Sequence, residues 1–204
     1  MLGEVKMSVI FGYVMDKKVY LAADNRITDA EGKFISDDDI KIEVVNNNTS
    51  VAFTGNYGAQ SFFMKCYKGM QGYQNWFVND LASNIYSMCN AIINMDTEWA
   101  KLIANSNACF LVAGRTVDRK AKLFAVTLRK KHIDLKPVSM MLFHPNDCDF
   151  QTCANILCKN IKQYPDDFSK YTIQEISKIS NLVSDSGNVW MFDTKNDEST
   201  FVAL

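Results

Sequence analysis

Apolar and polar residues alternate over the first quarter of the chain in a way that predicts two β-hairpins. Apolar, β-rich runs at 8–16 and 19–24 are separated by a Lys-Lys pair, which indicates a tight reversal. Runs at 41–45 and 51–55 flank the turn sequence Asn-Asn-Asn-Thr-Ser and predict a second hairpin. The segment 29–39 between the two hairpins is polar and is predicted to be a loop.

The next part of the chain changes to a helical period. Phe62 and Tyr67 belong to a first stretch with apolar residues at helical spacing. A longer helix is predicted from about Trp76 to Met95, with one apolar face at three- and four-residue steps.

The second half returns to strands, predicted at 109–114, 122–128 and 132–142. Asn146 or Asp147 is expected to cap a third helix, which extends to about Ile161. Thr-Ile-Gln-Glu at 172–175 forms a capping box and predicts a fourth helix that ends near Leu182. Two last strands are expected at 188–193 and 200–204.

This order of elements predicts an α+β fold in which helices cover two stacked sheets. The 204 residues are enough for one sizeable core, and no linker divides residues 8–204 into two domains. We therefore expect a single domain.

Composition and charge narrow the functional classes. The net charge is -1 and no basic stripe is present, so a nucleic-acid partner is not expected. No apolar run approaches the roughly 20 residues of a membrane helix, and the first residues make a poor signal peptide, so we expect a cytoplasmic protein. The six cysteines lie in apolar patterns and are expected to be buried free thiols. His132 and His144 are isolated, so neither a metal site nor a cofactor is predicted.

Several segments, taken in order, resemble proteasome β-type subunits of a bacterial or phage type. The segments are VYLAADNRIT at 19–28, KIEVV at 41–45, VAFTGNYGA at 51–59, the hairpin 109–128 and SDSGNVWMF at 184–192. The resemblance covers nearly the whole chain from Ser8. It implies the N-terminal nucleophile (Ntn) hydrolase fold, a four-layer αββα sandwich of two mainly antiparallel sheets flanked by helix pairs.

The resemblance also implies an active site, with Ser8 as the nucleophile of the mature chain. A free α-amine on the same residue would act as its base, since such an amine titrates at a pKa of about 7.7–8.0. Lys41 matches the essential lysine and Asp24 the acid that orients it. Gly55 matches the oxyanion donor. The other matching residues are Ser186 near the amine, Arg26, Asp185 and Gly187 as structural neighbours, and Ile27, Asp39, Phe53 and Tyr57 in the substrate pocket.

This mechanism requires that nothing precede Ser8 in the working protein. Residues 1–7 are either a leader that is cleaved after Met7 or the result of a mis-assigned start, with Met7 as the natural initiator. Common codons for Gly-Glu-Val-Lys at 3–6 read as a purine-rich ribosome-binding site, which favours the second interpretation.

Two departures from the family pattern keep other functions open. The acid expected three residues before Ser186 is replaced by Val183, although Ser184 or Asp185 could substitute after a one-residue shift. A Ser-Gly stretch before the third helix is replaced by 142–147. The leading hypothesis is a peptide or amide hydrolase that self-associates into a ring or other homo-oligomer, with any ATPase partner unknown. The alternatives are a catalytically inactive structural or interaction subunit and a non-peptide amidase.

Overall fold

A computed structural model describes residues 8–29 and 31–204, and within these residues the chain forms three antiparallel sheets and five α-helices. The predicted α+β class is confirmed. The segment 1–7, predicted to be a leader or a mis-assigned start, lies outside the described residues. None of the helices within them is long and apolar enough to cross a membrane.

One five-stranded sheet has the strand order β10-β1-β2-β11-β12. Its strands are β1 (Ile10–Met15), β2 (Lys18–Asp24), β10 (Met140–Phe143), β11 (Gly187–Asp193) and β12 (Glu198–Ala203). The predicted first hairpin is confirmed, since β1 and β2 pair from Ile10↔Ala23 to Met15↔Lys18. Asp16 in the turn has a φ of 53°, a conformation that Asp tolerates better than most residues.

The second five-stranded sheet has the order β5-β6-β7-β8-β9, and a separate two-stranded hairpin joins β3 to β4. The strands are β3 (Ile27–Thr28), β4 (Phe34–Ser36), β5 (Ile42–Asn46), β6 (Thr49–Gly55), β7 (Asn107–Arg115), β8 (Ala121–Arg129) and β9 (His132–Val138). The helices are α1 (Tyr57–Tyr67), α2 (Val78–Asn94), α3 (Glu98–Ala104), α4 (Phe150–Gln163) and α5 (Phe168–Ser177).

Three apolar clusters show how these elements pack. Trp190 and Leu21 of the first sheet meet Leu111 and Ala125 of the second in a cluster between the two sheets. The opposite face of the second sheet packs against α1, α2 and α3. The opposite face of the first sheet packs against α4 and α5. Since each sheet is covered on both faces, its central strands are apolar at successive positions.

Strand β7 illustrates this double burial. Cys109, Leu111 and Ala113 belong to the cluster between the sheets, whereas Phe110 and Val112 belong to the cluster beneath the helices. Successive side chains of a strand point to opposite faces, so a strand buried on both faces reads as one continuous apolar run. The run CFLVAG in the sequence has this origin.

The prediction of one strand over 132–142 was wrong. The segment forms β9 in the second sheet and β10 in the first, and the chain passes from one sheet to the other at Ser139. The Ser139 carbonyl already accepts the Val14 N–H at 2.8 Å. Both halves of the segment have strand-like apolar content, so the local pattern contained no signal for the change of sheet.

The helix boundaries also needed correction. Helix α4 is capped by Asp149, whose side chain accepts the Thr152 N–H, and Asp147 instead accepts from Ser180 and Asn181. Helix α5 starts at Phe168, before the predicted capping box at 172–175, and ends at Ser177.

The structure contains short elements that the pattern did not predict. Part of the predicted loop 29–39 forms β4, which pairs with β3. Helix α3 was missed because it has only seven residues, and its cap is the Thr97 side chain.

All six cysteines are free, as predicted, but only Cys89, Cys109 and Cys153 are buried. Burial raises the pKa of Cys89 to about 12 and that of Cys109 to about 11. The expectation of burial is therefore correct for half of the set.

Phe168 fills the centre of the cluster beneath α4 and α5, and replacing it should weaken the fold. Its ring lies 5.2 Å from that of Tyr20 and 6.3 Å from that of Phe11, measured between centroids. We expect Phe168→Ala to lower the free energy of unfolding by about 3–5 kcal/mol, measured by urea denaturation. Phe201→Ala on the exposed edge strand β12 is the control and should cost about 1 kcal/mol or less. Equal losses would contradict this account of the core.

Candidate active site

The predicted catalytic residues come from both sheets and meet at one end of the molecule. Ser8 and Val9 lead into β1, Asp24 ends β2, and Lys41 immediately precedes β5. Gly55 ends β6. Because neighbouring antiparallel strands alternate in direction, these starts and ends lie at the same edge of the two sheets.

The Asp24 carboxylate accepts four hydrogen bonds at this end of the molecule. It is fully buried. Its Oδ1 accepts the Val9 N–H at 3.0 Å and the Lys41 ammonium at 3.0 Å. Its Oδ2 accepts the Arg26 N–H at 2.8 Å and the Ser184 N–H at 3.5 Å. One carboxylate thereby fixes the start of β1, the end of β2 and the loop before β11 relative to Lys41.

The Asp24–Lys41 pair is shielded from water, since the exposed fractions of the two side chains are 0% and 7%. Burial lowers the pKa of Lys41, and the charge and hydrogen bond of Asp24 oppose that shift. Burial likewise raises the pKa of Asp24, opposed by Lys41 and by the backbone donors of Arg26 and Ser184. Each charge is therefore sustained by the other, and losing either one would leave a costly buried ion.

Ser8 and Lys41 line the same cavity, which has a volume of about 310 Å³ and is called the Ser8 cavity below. The Ser8 hydroxyl is half-buried and donates to the Arg26 carbonyl at 3.2 Å. Gly55 also lines the Ser8 cavity. The three residues predicted to attack, to supply a positive charge and to bind the oxyanion are thus brought together.

Only glycine can occupy position 55. Its φ is +106°, and a Cβ built there would lie 2.3 Å from the Asn107 carbonyl oxygen. Any side chain would therefore both strain the backbone and push β6 away from β7.

The strand pairing also fixes the direction of the Gly55 N–H. The Asn56 N–H donates to the Asn107 carbonyl at 2.8 Å. Hydrogen bonds of antiparallel strands alternate, so the preceding peptide unit turns the Gly55 N–H away from β7. On that other side, the ladder to β5 ends with the bond from the Phe53 N–H to the Lys41 carbonyl, at 3.0 Å. The Gly55 N–H lies beyond this end and can donate to a bound oxygen atom.

Gly187 allows the two central strands of the first sheet to approach closely. It pairs with Asp24 in the β2–β11 register. A Cβ at this position would lie 2.5 Å from the Ala23 carbonyl oxygen and 2.7 Å from the Ile173 side chain. Its predicted role as a structural neighbour of the site thus has a steric basis.

The loop before β11 places Ser184, rather than Asp185, next to Asp24. Ser184 is buried, and its hydroxyl accepts the Asn25 N–H at 3.1 Å and donates to the Ser186 carbonyl at 2.7 Å. Asp185 is exposed, and its charge contributes to raising the pKa of Arg26. The Ser186 hydroxyl donates to Ser184 at 3.4 Å. The SDS motif located this loop, but only the packing distinguishes its residues.

The four predicted pocket residues all line the Ser8 cavity: Ile27, Asp39, Phe53 and Tyr57. Phe53 is buried at its base, whereas Tyr57 is 68% exposed at its rim. Burial raises the pKa of Asp39, and Lys41 opposes the shift. The cavity therefore presents both a carboxylate and an ammonium group.

Arg26 also lines the Ser8 cavity, and its side chain is held by residues outside it. Its guanidinium forms two 2.8 Å hydrogen bonds to Asp37 and a third, at 3.0 Å, to the Asn181 carbonyl. Its hydrogen bonds hold the pKa of Asp37 below the usual range. Asp38 accepts from Ser36 instead. The acidic run 37–39 thus separates into three different environments and does not gather around one ion.

Comparisons with known proteins do not identify a family. No protein-family model matches the chain, and a search of curated proteins found no match. The functional argument below therefore depends on the geometry of the site and on the resemblance in the sequence.

The buried ion pair should contribute much more to stability than the outer one. We expect Asp24→Asn to lower the free energy of unfolding by about 3–5 kcal/mol, because it leaves the Lys41 ammonium buried without a counter-charge. The matched control is Asp37→Asn, which breaks the partly exposed pair with Arg26 and should cost about 1 kcal/mol or less. Urea denaturation of both variants measures the difference, and similar losses would refute the central role of Asp24.

Proposed function

We propose that this chain is an N-terminal serine hydrolase, similar to proteasome β-type subunits, that cleaves peptide or other amide bonds through an acyl-enzyme on Ser8. The observation that carries the proposal is the Ser8 cavity, where a serine hydroxyl, a buried ammonium and an unblocked glycine N–H converge. The Asp24 carboxylate holds both the Lys41 ammonium and the backbone next to Ser8.

The packing of the chain supports the corresponding fold assignment. The apolar clusters lie between helices and sheet, between the two sheets, and between sheet and helices. We therefore propose the four-layer αββα sandwich of the Ntn hydrolases, as one domain over residues 8–204.

In the proposed reaction, the free α-amine of Ser8 takes the hydroxyl proton while Oγ attacks the carbonyl carbon of the substrate. The resulting oxyanion accepts a hydrogen bond from the Gly55 N–H. The C–N bond then breaks, and the proton passes from the α-ammonium to the leaving amine. Water, activated by the same amine, attacks the ester, releases the acid and restores the Ser8 hydroxyl.

Lys41 would act as a fixed positive charge in this scheme. A cation near the Ser8 cavity stabilises the developing alkoxide and the oxyanion. Burial alone would favour the neutral amine, since it lowers the pKa of Lys41. The Asp24 carboxylate opposes this shift, and for this reason we assign it a positioning and charge-sustaining role.

An inactive structural subunit is the second candidate, and one observation favours it. Val183 is buried in the apolar cluster beneath α4 and α5, and Asp185 is exposed to solvent. The carboxylate that the family pattern places before Ser186 is therefore not supplied by either residue. A hydroxyl group, that of Ser184, occupies the buried position instead.

Covalent labelling distinguishes the two candidates. We expect a hydroxyl-reactive epoxyketone or β-lactone to add one molecule per chain at Ser8, detected by intact mass and peptide mapping. Ser8→Ala should give no adduct, and Lys41→Ala should slow labelling by about 100-fold. The control is Lys33→Ala on the exposed β4 hairpin, which should label at the normal rate. A folded Lys41→Ala variant that labels at full rate would contradict the role of Lys41.

The same intact-mass measurement on natively expressed protein reports its first residue. A working protein that begins at Ser8 supports the proposal, and one that retains Met7 removes the proposed base.

The pH dependence of labelling tests the base. The α-amine must be neutral to accept the proton, and its usual pKa is about 7.7–8.0. We expect the labelling rate to rise with pH through this range and then to level off. A rate that stays constant from about pH 6 to pH 9 would show that another group, or none, removes the Ser8 proton.

A further inference from the structure

A second and larger cavity opens at the same end of the molecule, with a volume of about 690 Å³. It is lined by the start of β7, the end of β8, β9, β10 and the segment that leads to Phe150. It is called the β9–β10 cleft below. None of the residues predicted for the site belongs to its lining.

The strand register places the β9–β10 cleft beside Ser8. Strand β10 pairs with β1, and Phe143 lies opposite Ile10. His144, which lines the cleft, directly follows Phe143, and Ser8 lies two residues before Ile10. The Ser8 cavity lies on the other side, toward β2 and β6. Ser8 leads into β1, which lies between β10, part of the cleft lining, and β2.

Asn107 is in contact with the linings of both cavities. It lines the β9–β10 cleft, and its carbonyl accepts the N–H of Asn56, which lines the Ser8 cavity. An extended substrate that occupies both cavities would thus place one of its peptide bonds over Ser8.

The two cavities differ in charge. The lining of the β9–β10 cleft includes Arg129, Lys136 and two histidines, and among the described residues its one carboxylate is Asp134. The Oδ2 atom of Asp134 is 3.4 Å from the Nζ atom of Lys136. It therefore offsets only one of the two permanent positive charges, those of Arg129 and Lys136. The adjoining turn adds Lys130 and Lys131. The lining of the Ser8 cavity, in contrast, balances Arg26 and Lys41 with the carboxylates of Asp29 and Asp39.

The imidazole ring of His144, which lines the cleft, is held by two carbonyl oxygens. Its Nδ1 is 2.9 Å from both the Pro145 and the Cys148 carbonyl oxygens. Two acceptors at this distance require Nδ1 to carry the proton. The ring is thereby held in one orientation.

We propose that the β9–β10 cleft binds the part of the substrate on the leaving-amine side of the cut bond and selects acidic side chains there. The inference rests on the proposed hydrolase function. The oxyanion must face the Gly55 N–H in the Ser8 cavity, so the acyl portion stays on that side. The leaving amine then departs across Ser8, toward Arg129 and Lys136.

Paired peptide substrates test this selectivity. Two fluorogenic peptides would be identical on the acyl side and carry either Glu or Gln at the first three positions after the cut. We expect kcat/KM to be about fivefold higher for the Glu peptide at low salt, a preference that shrinks as salt is added. The double variant Arg129→Gln, Lys136→Gln should remove the preference, so that kcat/KM becomes equal for the Glu and Gln peptides.

The matched control removes the same charge elsewhere. Lys162→Gln, Lys170→Gln changes two exposed lysines on α4 and α5 and should retain the full preference. If the control loses the preference as well, the selectivity comes from net charge and the cleft is overturned as its source. Cleavage of both peptides at equal rates by the unaltered protein would also overturn it, while the hydrolase function stands.

Binding without turnover separates the two proposals. The Ser8→Ala protein would be titrated with a fluorescent peptide that has a free N-terminus followed by three Glu residues, and anisotropy recorded. Saturable binding that weakens about fivefold when Arg129→Gln and Lys136→Gln are added to Ser8→Ala supports the cleft. This result would stand even if the unaltered protein cleaves neither peptide and the hydrolase proposal fails. The absence of binding in a folded Ser8→Ala protein would overturn the acid-selective cleft.

Discussion

The buried Asp24 carboxylate joins parts of the chain that are far apart in sequence. It bonds to the backbone before β1, to Lys41 before β5 and to Ser184 before β11. A carboxylate without water must satisfy its lone pairs within the protein, and here a buried ammonium and three N–H groups do so. This one requirement fixes the backbone next to Ser8, the Lys41 ammonium and the loop before β11 relative to one another.

Close backbone packing provides the second constraint on the site. Gly55 and Gly187 each lie against a carbonyl oxygen of a neighbouring strand, at distances that leave no room for a Cβ. Gly55 leaves its own N–H unpaired at the end of the β5–β6 ladder. Gly187 lets β11 approach β2, the strand that ends in Asp24. The sheets themselves are held by apolar clusters on both faces, and the site is assembled at the ends of their strands and on the loop before β11.

Much of the fold could be predicted from the sequence because its signals are local. The two hairpins, the long helix α2 and the continuous apolar strand β7 all follow from the spacing of apolar residues. The start of α5 could not be predicted from its capping box, because burial of Phe168 among aromatic rings outweighs the preference of Thr172 for a helix end. The division of 132–142 between two sheets could not be predicted, because the apolar pattern of this segment does not change where the chain passes from one sheet to the other.

The sequence by itself determined the α+β class, most of the strands and the identity of Ser8, Asp24, Lys41 and Gly55 as candidates. Only the tertiary structure decided that Ser184 and not Asp185 faces Asp24, across 160 positions of sequence. Only the tertiary structure revealed the β9–β10 cleft, whose lining comes from four strands and from the segment that leads into α4. Periodicity and turn chemistry act over a few residues, whereas such contacts depend on how two covered sheets stack, which no local pattern encodes.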